Sequence, residues 1–144
     1  MPTNRVKVAE VRDALELLGG ELEELPGLSE CPDPTVPNDV FSAIETLMAE
    51  NPGAFYHTSQ YTNPANIATH HDTTGQEISD DIGTVDYLFG GLGTTGSTRG
   101  AATFLQTANP QLQTIGIVST KEDFIPGIRS EAELWDVGLF ERGF

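Results

Sequence analysis

Residues 91–97, Gly91-Leu92-Gly93-Thr94-Thr95-Gly96-Ser97, bring three glycines and three hydroxyl side chains into one short run. Glycine lets backbone amides approach an anion closely, and the N–H groups that open a helix point toward one. Thr94, Thr95 and Ser97 can each donate to a phosphate oxygen, and the loop itself holds no basic residue, Arg99 being the nearest. A tight strand-to-helix turn without a ligand is the plainest alternative. Gly91, Gly93 and Gly96 also satisfy the G-x-G-x-x-G spacing of dinucleotide folds, which call for an acidic residue about 20 positions on, at the end of the next strand. That strand ends here in Val118-Ser119-Thr120, Glu122 and Asp123 come late, and the loop lies deep in the chain. A single phosphate monoester suits the hydroxyl-rich loop better than a dinucleotide.

Other chemistry-bearing residues have simpler readings. His70-His71-Asp72 is a poor metal cluster, because adjacent helical residues point about 100° apart. His57 closes a segment that reads as buried and is expected to be packed or hydrogen-bonded. Cys31 sits in a Pro-rich loop with no histidine near it in sequence, which argues against a catalytic thiol. As the single cysteine it also excludes an intrachain disulfide and disfavours structural zinc. Glu21, Glu23 and Glu24 read as a solvated edge and Asp80-Asp81 as an exposed helix end, while Trp135 and Phe140 are expected to pack on a part of the fold outside this sequence.

Periodicity supplies the elements that would hold the loop. Val8, Val11, Leu15 and Leu18 predict a helix over residues 5–18, ended by Gly19-Gly20. A short strand over 21–25 follows, then a Pro- and Asp-rich loop over 28–37. Asn38 or Asp39 caps a helix carrying Phe41, Ile44, Leu47 and Met48, which Asn51-Pro52-Gly53 stops. Residues 54–58 read as a buried strand, 65–71 and 75–82 as helices, 85–89 as a strand, 96–107 as a helix of small residues and 114–118 as a further buried strand. Strand, glycine loop, helix, strand is the βαβ pattern, so the expected fold class is α/β with a parallel sheet. Residues 121–144 leave little room for regular structure. A helix opens almost at Met1 and the chain finishes on Arg142-Gly143-Phe144, so both ends read as cuts through a larger, incomplete fold.

The whole-chain arithmetic narrows the function. With 144 residues the chain can bury a core as one domain or two small lobes. Twenty-two acidic against seven basic residues give a formal charge of −15, which argues against nucleic-acid and anionic-lipid partners. It also fits a salt-adapted source. No run reaches the roughly 18 apolar residues of a membrane span, and no basic start precedes an apolar run, so a cytoplasmic location is expected.

Three blocks carry a family resemblance. Gln60-Tyr61-Thr62-Asn63-Pro64-Ala65-Asn66 is similar to Gln-Phe-x-Asn-Pro-Ala-Asn. His70 with Thr73-Thr74-Gly75-Gln76-Glu77-Ile78 is similar to His-x-x-Thr-Thr-Gly-Pro-Glu-Ile. Gly91 to Ser97 is similar to Gly-x-Gly-Thr-Gly-Gly-Thr. In order and spacing, over roughly residues 5–130, the set resembles the pyridoxal-phosphate enzymes of fold type II, of the cysteine synthase and cystathionine β-synthase kind.

The resemblance implies that Gly93, Thr94, Thr95, Gly96 and Ser97 cradle the phosphate of pyridoxal 5'-phosphate. Thr95 stands where the family has glycine, and Ser97 where it has threonine. It also implies that Gln60 lies near the substrate carboxylate and that Gly127 belongs to a glycine-rich turn beside the active site; Arg129 departs from the family pattern there. Residues 1–58 would be part of the smaller lobe and 59–144 part of the larger, cofactor-binding lobe. The implied reaction is β-replacement or β-elimination in amino-acid metabolism, converting an O-activated serine to cysteine or a related amino acid through an aminoacrylate. A homodimer is expected for the full-length enzyme. The family's Schiff-base lysine lies in a Ser-x-Lys-x-Arg context, whereas Lys7 and Lys121, the two lysines here, lack it. No catalytic residue is therefore assigned within the chain, which taken alone is expected to be inactive. The competing readings are a non-catalytic remnant that holds a phosphorylated ligand or a partner, and a dinucleotide-binding half-domain.

Overall fold

The computed structural model describes residues 2–3, 9–25, 39–123, 125, 127–134 and 140. The chain divides into two units, Met1–His57 and Thr58–Phe144. In the first, β1 (Pro2–Thr3) pairs in parallel with β2 (Glu23–Glu24), with Pro2 opposite Glu23 and Thr3 opposite Glu24. Between them runs α1 (Ala9–Leu17), which Gly19 ends at φ 83° while the Gly20 amide donates to the Leu15 carbonyl at 2.8 Å. That bond satisfies a carbonyl the helix leaves without an internal partner. Arg12 on α1 forms an ion pair with Glu24. The following helix, α2 (Val40–Glu50), starts at Asp39 and stops at Asn51, whose side-chain amide donates to the Leu47 carbonyl at 3.0 Å. Pro52 could not continue it.

The strand expected over residues 54–58 does not form. These residues follow a turn, Phe55 is 50% and Tyr56 82% exposed, and His57 is exposed rather than packed. A strand needs a neighbour for its ladder, and no described segment of the unit pairs with this one. The loop expected over residues 28–37, with Cys31, lies outside the described residues.

The second unit is a small α/β assembly. Its first helical stretch runs unbroken through α3 (Ala65–His70), one wide π-type turn (His71–Gly75) and α4 (Gln76–Ile82). β3 (Tyr87–Gly91), α5 (Gly96–Leu105) and β4 (Gln113–Ile117) then make the βαβ crossover, the strands pairing in parallel from Tyr87 opposite Gln113 to Gly91 opposite Ile117. β3 begins two residues later than periodicity suggests, because the Asn109 side-chain amide holds the Val85 carbonyl at 3.0 Å outside the ladder. Ala102, Leu105 and Leu112 form the buried core, with Ile78, Val85 and Leu88 packed against it.

After β4 the chain turns back on the loop. Ser119 bridges Ser130 in parallel, and a short 3₁₀ turn (Glu131–Glu133) is closed by a capping box between Ser130 and Glu133. Phe140 is buried within this chain, 3% exposed against Arg129, rather than waiting for another part of the fold; Trp135 lies outside the described residues.

Candidate cofactor site

Small residues let the three sequence blocks close on one another. The π-type turn brings Gly75 onto α5, where a Cβ would lie 2.6 Å from that of Phe104. On α5 itself a Cβ at Gly100 would sit 2.5 Å from the Ile67 carbonyl oxygen and 2.7 Å from the His70 Cβ. Neither approach is open to a larger residue without moving backbone. His70 is fixed by a 2.9 Å hydrogen bond between its Nδ1 and the Thr74 hydroxyl, while His71 pairs with Asp72 at 2.7 Å and meets the Phe104 ring edge-on.

Asn66 joins the first block to the glycine loop. Its side-chain amide donates to the Gln60 carbonyl at 2.7 Å and to the Thr94 hydroxyl at 3.1 Å. Gly96 lies so close that a Cβ there would run into the Asn66 carboxamide. Ser59, at φ 34° and buried, folds the chain sharply just before Gln60, and its carbonyl accepts from the amides of Thr62 and Asn63. Gln60 is consequently tied by its backbone to the loop, with an exposed side chain.

The loop leads straight into α5. Thr95 is the N-cap, in the left-handed region at φ 70°, 2% exposed and without a side-chain capping bond. A β-branched residue held there costs on the order of 1–2 kcal/mol, which explains a glycine at this position in the resembling pattern. The first-turn amides of α5 have no partner within the helix and receive none from a Thr95 cap. Thr94 accepts from Asn66 and, at 3.4 Å, from the Gly96 amide, so its own proton is left to donate. The Ser97 side chain is exposed at the same helix end.

The final turn closes the other side. Gly127, at φ 82°, brings its carbonyl to where a Cβ on Gly93 would lie 2.8 Å away, so Gly93 is required by close approach. The structure brings the residues singled out in the sequence into one neighbourhood: Gly93, Thr94, Thr95, Gly96 and Ser97 at the helix mouth, Gln60 tied on through Asn66, and Gly127 against Gly93. Two residues the sequence did not assign hold it together. Asn66 lay within a motif but carried no predicted role, and Arg129, a lone cation in an acidic stretch, is wholly buried with its Nε donating to the Gly93 carbonyl at 2.7 Å.

A family model described as pyridoxal-phosphate dependent enzyme matches residues 1–135. The chain belongs to this family. Cysteine synthase 2 of Schizosaccharomyces pombe is 32% identical over 120 residues, 78% of this chain and 29% of that protein. Cystathionine beta-synthase of Apis mellifera is 32% identical over 73% of this chain and 20% of its own length, and Escherichia coli K12 cysteine synthase A is 32% identical over 55% and 25%. The crystal structure of cysteine synthase from Entamoeba histolytica superposes with a TM-score of 0.64 at 24% identity, covering 81% of this chain and 33% of that one. The architecture is therefore part of the α/β fold of pyridoxal-phosphate enzymes, and the chain spans less than a third of the length of the curated relatives it matches.

The residues present fit the phosphate of the family's cofactor. First-turn amides that the Thr95 side chain does not cap, the Thr94 hydroxyl proton and the exposed Ser97 hydroxyl supply donors of the kind a phosphate dianion requires. Among the described residues no helix is long and apolar enough to cross a membrane.

Proposed function

We propose that this chain is the cofactor-phosphate part of a pyridoxal-phosphate-dependent β-replacement or β-elimination enzyme of the cysteine synthase kind. The observation that carries the reading is the Asn66 bridge, whose single carboxamide ties Gln60 and Thr94 together. In this reading Gly93, Thr94, Thr95, Gly96 and Ser97 hold the phosphate, with Thr95 acting through its backbone conformation and Thr94 and Ser97 through their hydroxyls. Gln60 and Gly127 line the substrate side, where an amino acid bearing an activated β-oxygen binds. When bound, pyridoxal phosphate supplies an electron sink for the substrate's α-carbon, which eases loss of the β-substituent and addition of a nucleophile. The chain's own work is to anchor the phosphate and orient the substrate carboxylate through the Gln60 side chain.

Residues 1–58 belong in this reading to the smaller lobe and 59–144 to the larger, and the full-length enzyme is a cytoplasmic homodimer. The covalent lysine comes from outside the motifs present here, since neither Lys7 nor Lys121 has the family's lysine context. The chain taken alone turns over no substrate. Titration with pyridoxine 5'-phosphate, which carries no aldehyde and needs no lysine, tests the phosphate site directly by ³¹P NMR. Saturable binding that Ser97→Ala together with Thr94→Val weakens about tenfold or more supports the reading, provided unphosphorylated pyridoxine shows no such response. Equal binding of both vitamers, or preference for NAD, would sink it. A borohydride-stable cofactor adduct on Lys7 or Lys121 with turnover would overturn the inactivity of the chain alone.

A further inference from the structure

Arg129 is the most unusual buried group in the described residues. Its side chain is 0% exposed, although a guanidinium taken from water forfeits several kcal/mol of hydration. Its Nε donates to the Gly93 carbonyl at 2.7 Å, one Nη donates to the Glu133 carbonyl at 2.9 Å, and its central carbon Cζ lies 4.2 Å from the centre of the Phe140 ring. The other Nη is buried with no hydrogen-bond partner among the described residues. Its own backbone amide donates to the Leu92 carbonyl at 2.7 Å, so both main chain and side chain of Arg129 grip consecutive residues of the loop. A neutral donor would suffice to hold one carbonyl. The retained charge, only partly hydrogen-bonded, calls for another explanation.

We propose that Arg129 is a positioning residue for the phosphate loop, resting on the reading of that loop given above. Among the described residues no peptide is cis, and in a trans peptide the C=O of one residue and the N–H of the next point in opposite directions. Turning the Gly93 carbonyl onto Arg129 therefore turns the Thr94 amide away from it, on the opposite side of the same peptide plane. The guanidinium also places a fixed cation behind a loop that has no basic residue of its own, in a chain of net charge −15. Such a preoriented amide and buried cation favour a dianion at the helix mouth over a neutral ligand. Glu133 belongs to the same device, because its carboxylate accepts from the Ser130 amide and hydroxyl at 3.0 and 3.1 Å and fixes the turn whose carbonyl Arg129 grips.

The test compares the full chain with Arg129→Met and Arg129→Lys, titrating pyridoxine 5'-phosphate and unphosphorylated pyridoxine by calorimetry. Arg129→Met should weaken the phosphorylated vitamer about tenfold or more and leave pyridoxine unchanged. Arg129→Lys, which keeps the charge but loses the fork that spans two carbonyls, should recover part of the loss. A folded Arg129→Met chain that binds the phosphorylated vitamer within twofold of the original overturns the proposal and leaves the phosphate reading standing. An original chain that binds neither probe overturns the phosphate reading and the proposal with it. Should the variants not fold, the unaltered chain decides by NMR with inorganic phosphate: the Thr94 amide resonance should move while the Arg129 Nε–H stays protected from exchange. An exchanging Nε–H, or an unmoved Thr94 amide at saturation, overturns the role.

Discussion

The two units of this chain make their structure in different ways. Among the described residues of Met1–His57 only Asp39 is buried, and neither α1 nor α2 contains a buried residue. Leu17 and Leu18 stand 87% and 85% exposed. Local signals shape that unit: a glycine stop, an asparagine cap and a proline. In Thr58–Phe144 the helix α5 alone buries six residues, Gly96, Thr98, Gly100, Ala101, Ala102 and Leu105, most of them small. There the backbones approach within contact distance, and the polar groups Thr95, Thr98, Ser119, Arg129, Ser130 and Glu133 are buried around the loop. Close packing against backbone is what fixes a binding loop, because interiors at this density do not deform continuously. The unit that carries the candidate site is the one in which glycine lets elements touch.

That contrast is open to attack by substitution. Gly100→Ala should be the most damaging change, by about 3 kcal/mol or more, since its Cβ would press on the Ile67 carbonyl and the His71 amide nitrogen; chemical denaturation that finds under 1 kcal/mol would break the account of how α3 and α5 meet. Leu105→Ala, 3% exposed in the core, should cost about 2–4 kcal/mol, whereas Leu17→Ala on the exposed face of α1 should stay within about 0.5 kcal/mol. Equal losses at the two leucines would erase the difference between the units. Hydrogen exchange sharpens the same point: amides in the middle of α5 should exchange roughly a hundredfold or more slowly than those of α1. At Gly53, φ 78° with open space around it, alanine should cost about 1 kcal/mol through conformation alone. Thr95→Gly should change stability least among the loop positions, within about 1 kcal/mol, because relief of the left-handed threonine offsets its lost packing.

Much of this was readable in the residues, and the exceptions are instructive. The helices around residues 9–17 and 40–50 followed from periodicity and terminal signals, since both act within a turn or two, and the one around 96–105 from its run of small residues. The 65–82 region was legible as helical, but the π-type turn joining its halves was not, because it exists to seat Gly75 on Phe104, a partner 29 positions away. Residues 54–58 have the composition of a strand without the neighbour that would make one. Phe140 reads as a surplus aromatic until Arg129 is found beneath it.

The sequence by itself determined the order of the three motif blocks, the glycines that permit the loop, the helix that follows it and the acidic balance of the chain. These are properties of residue type and short spacing, and they sufficed to indicate the family. Only the tertiary structure decided that Asn66 spans Gln60 and Thr94, that Thr95 takes the left-handed conformation, and that Arg129 donates to the Gly93 carbonyl. Those are contacts across 28 and 36 positions, or conformations imposed by them, and no periodicity encodes which distant side chain will fill the space that a glycine leaves open.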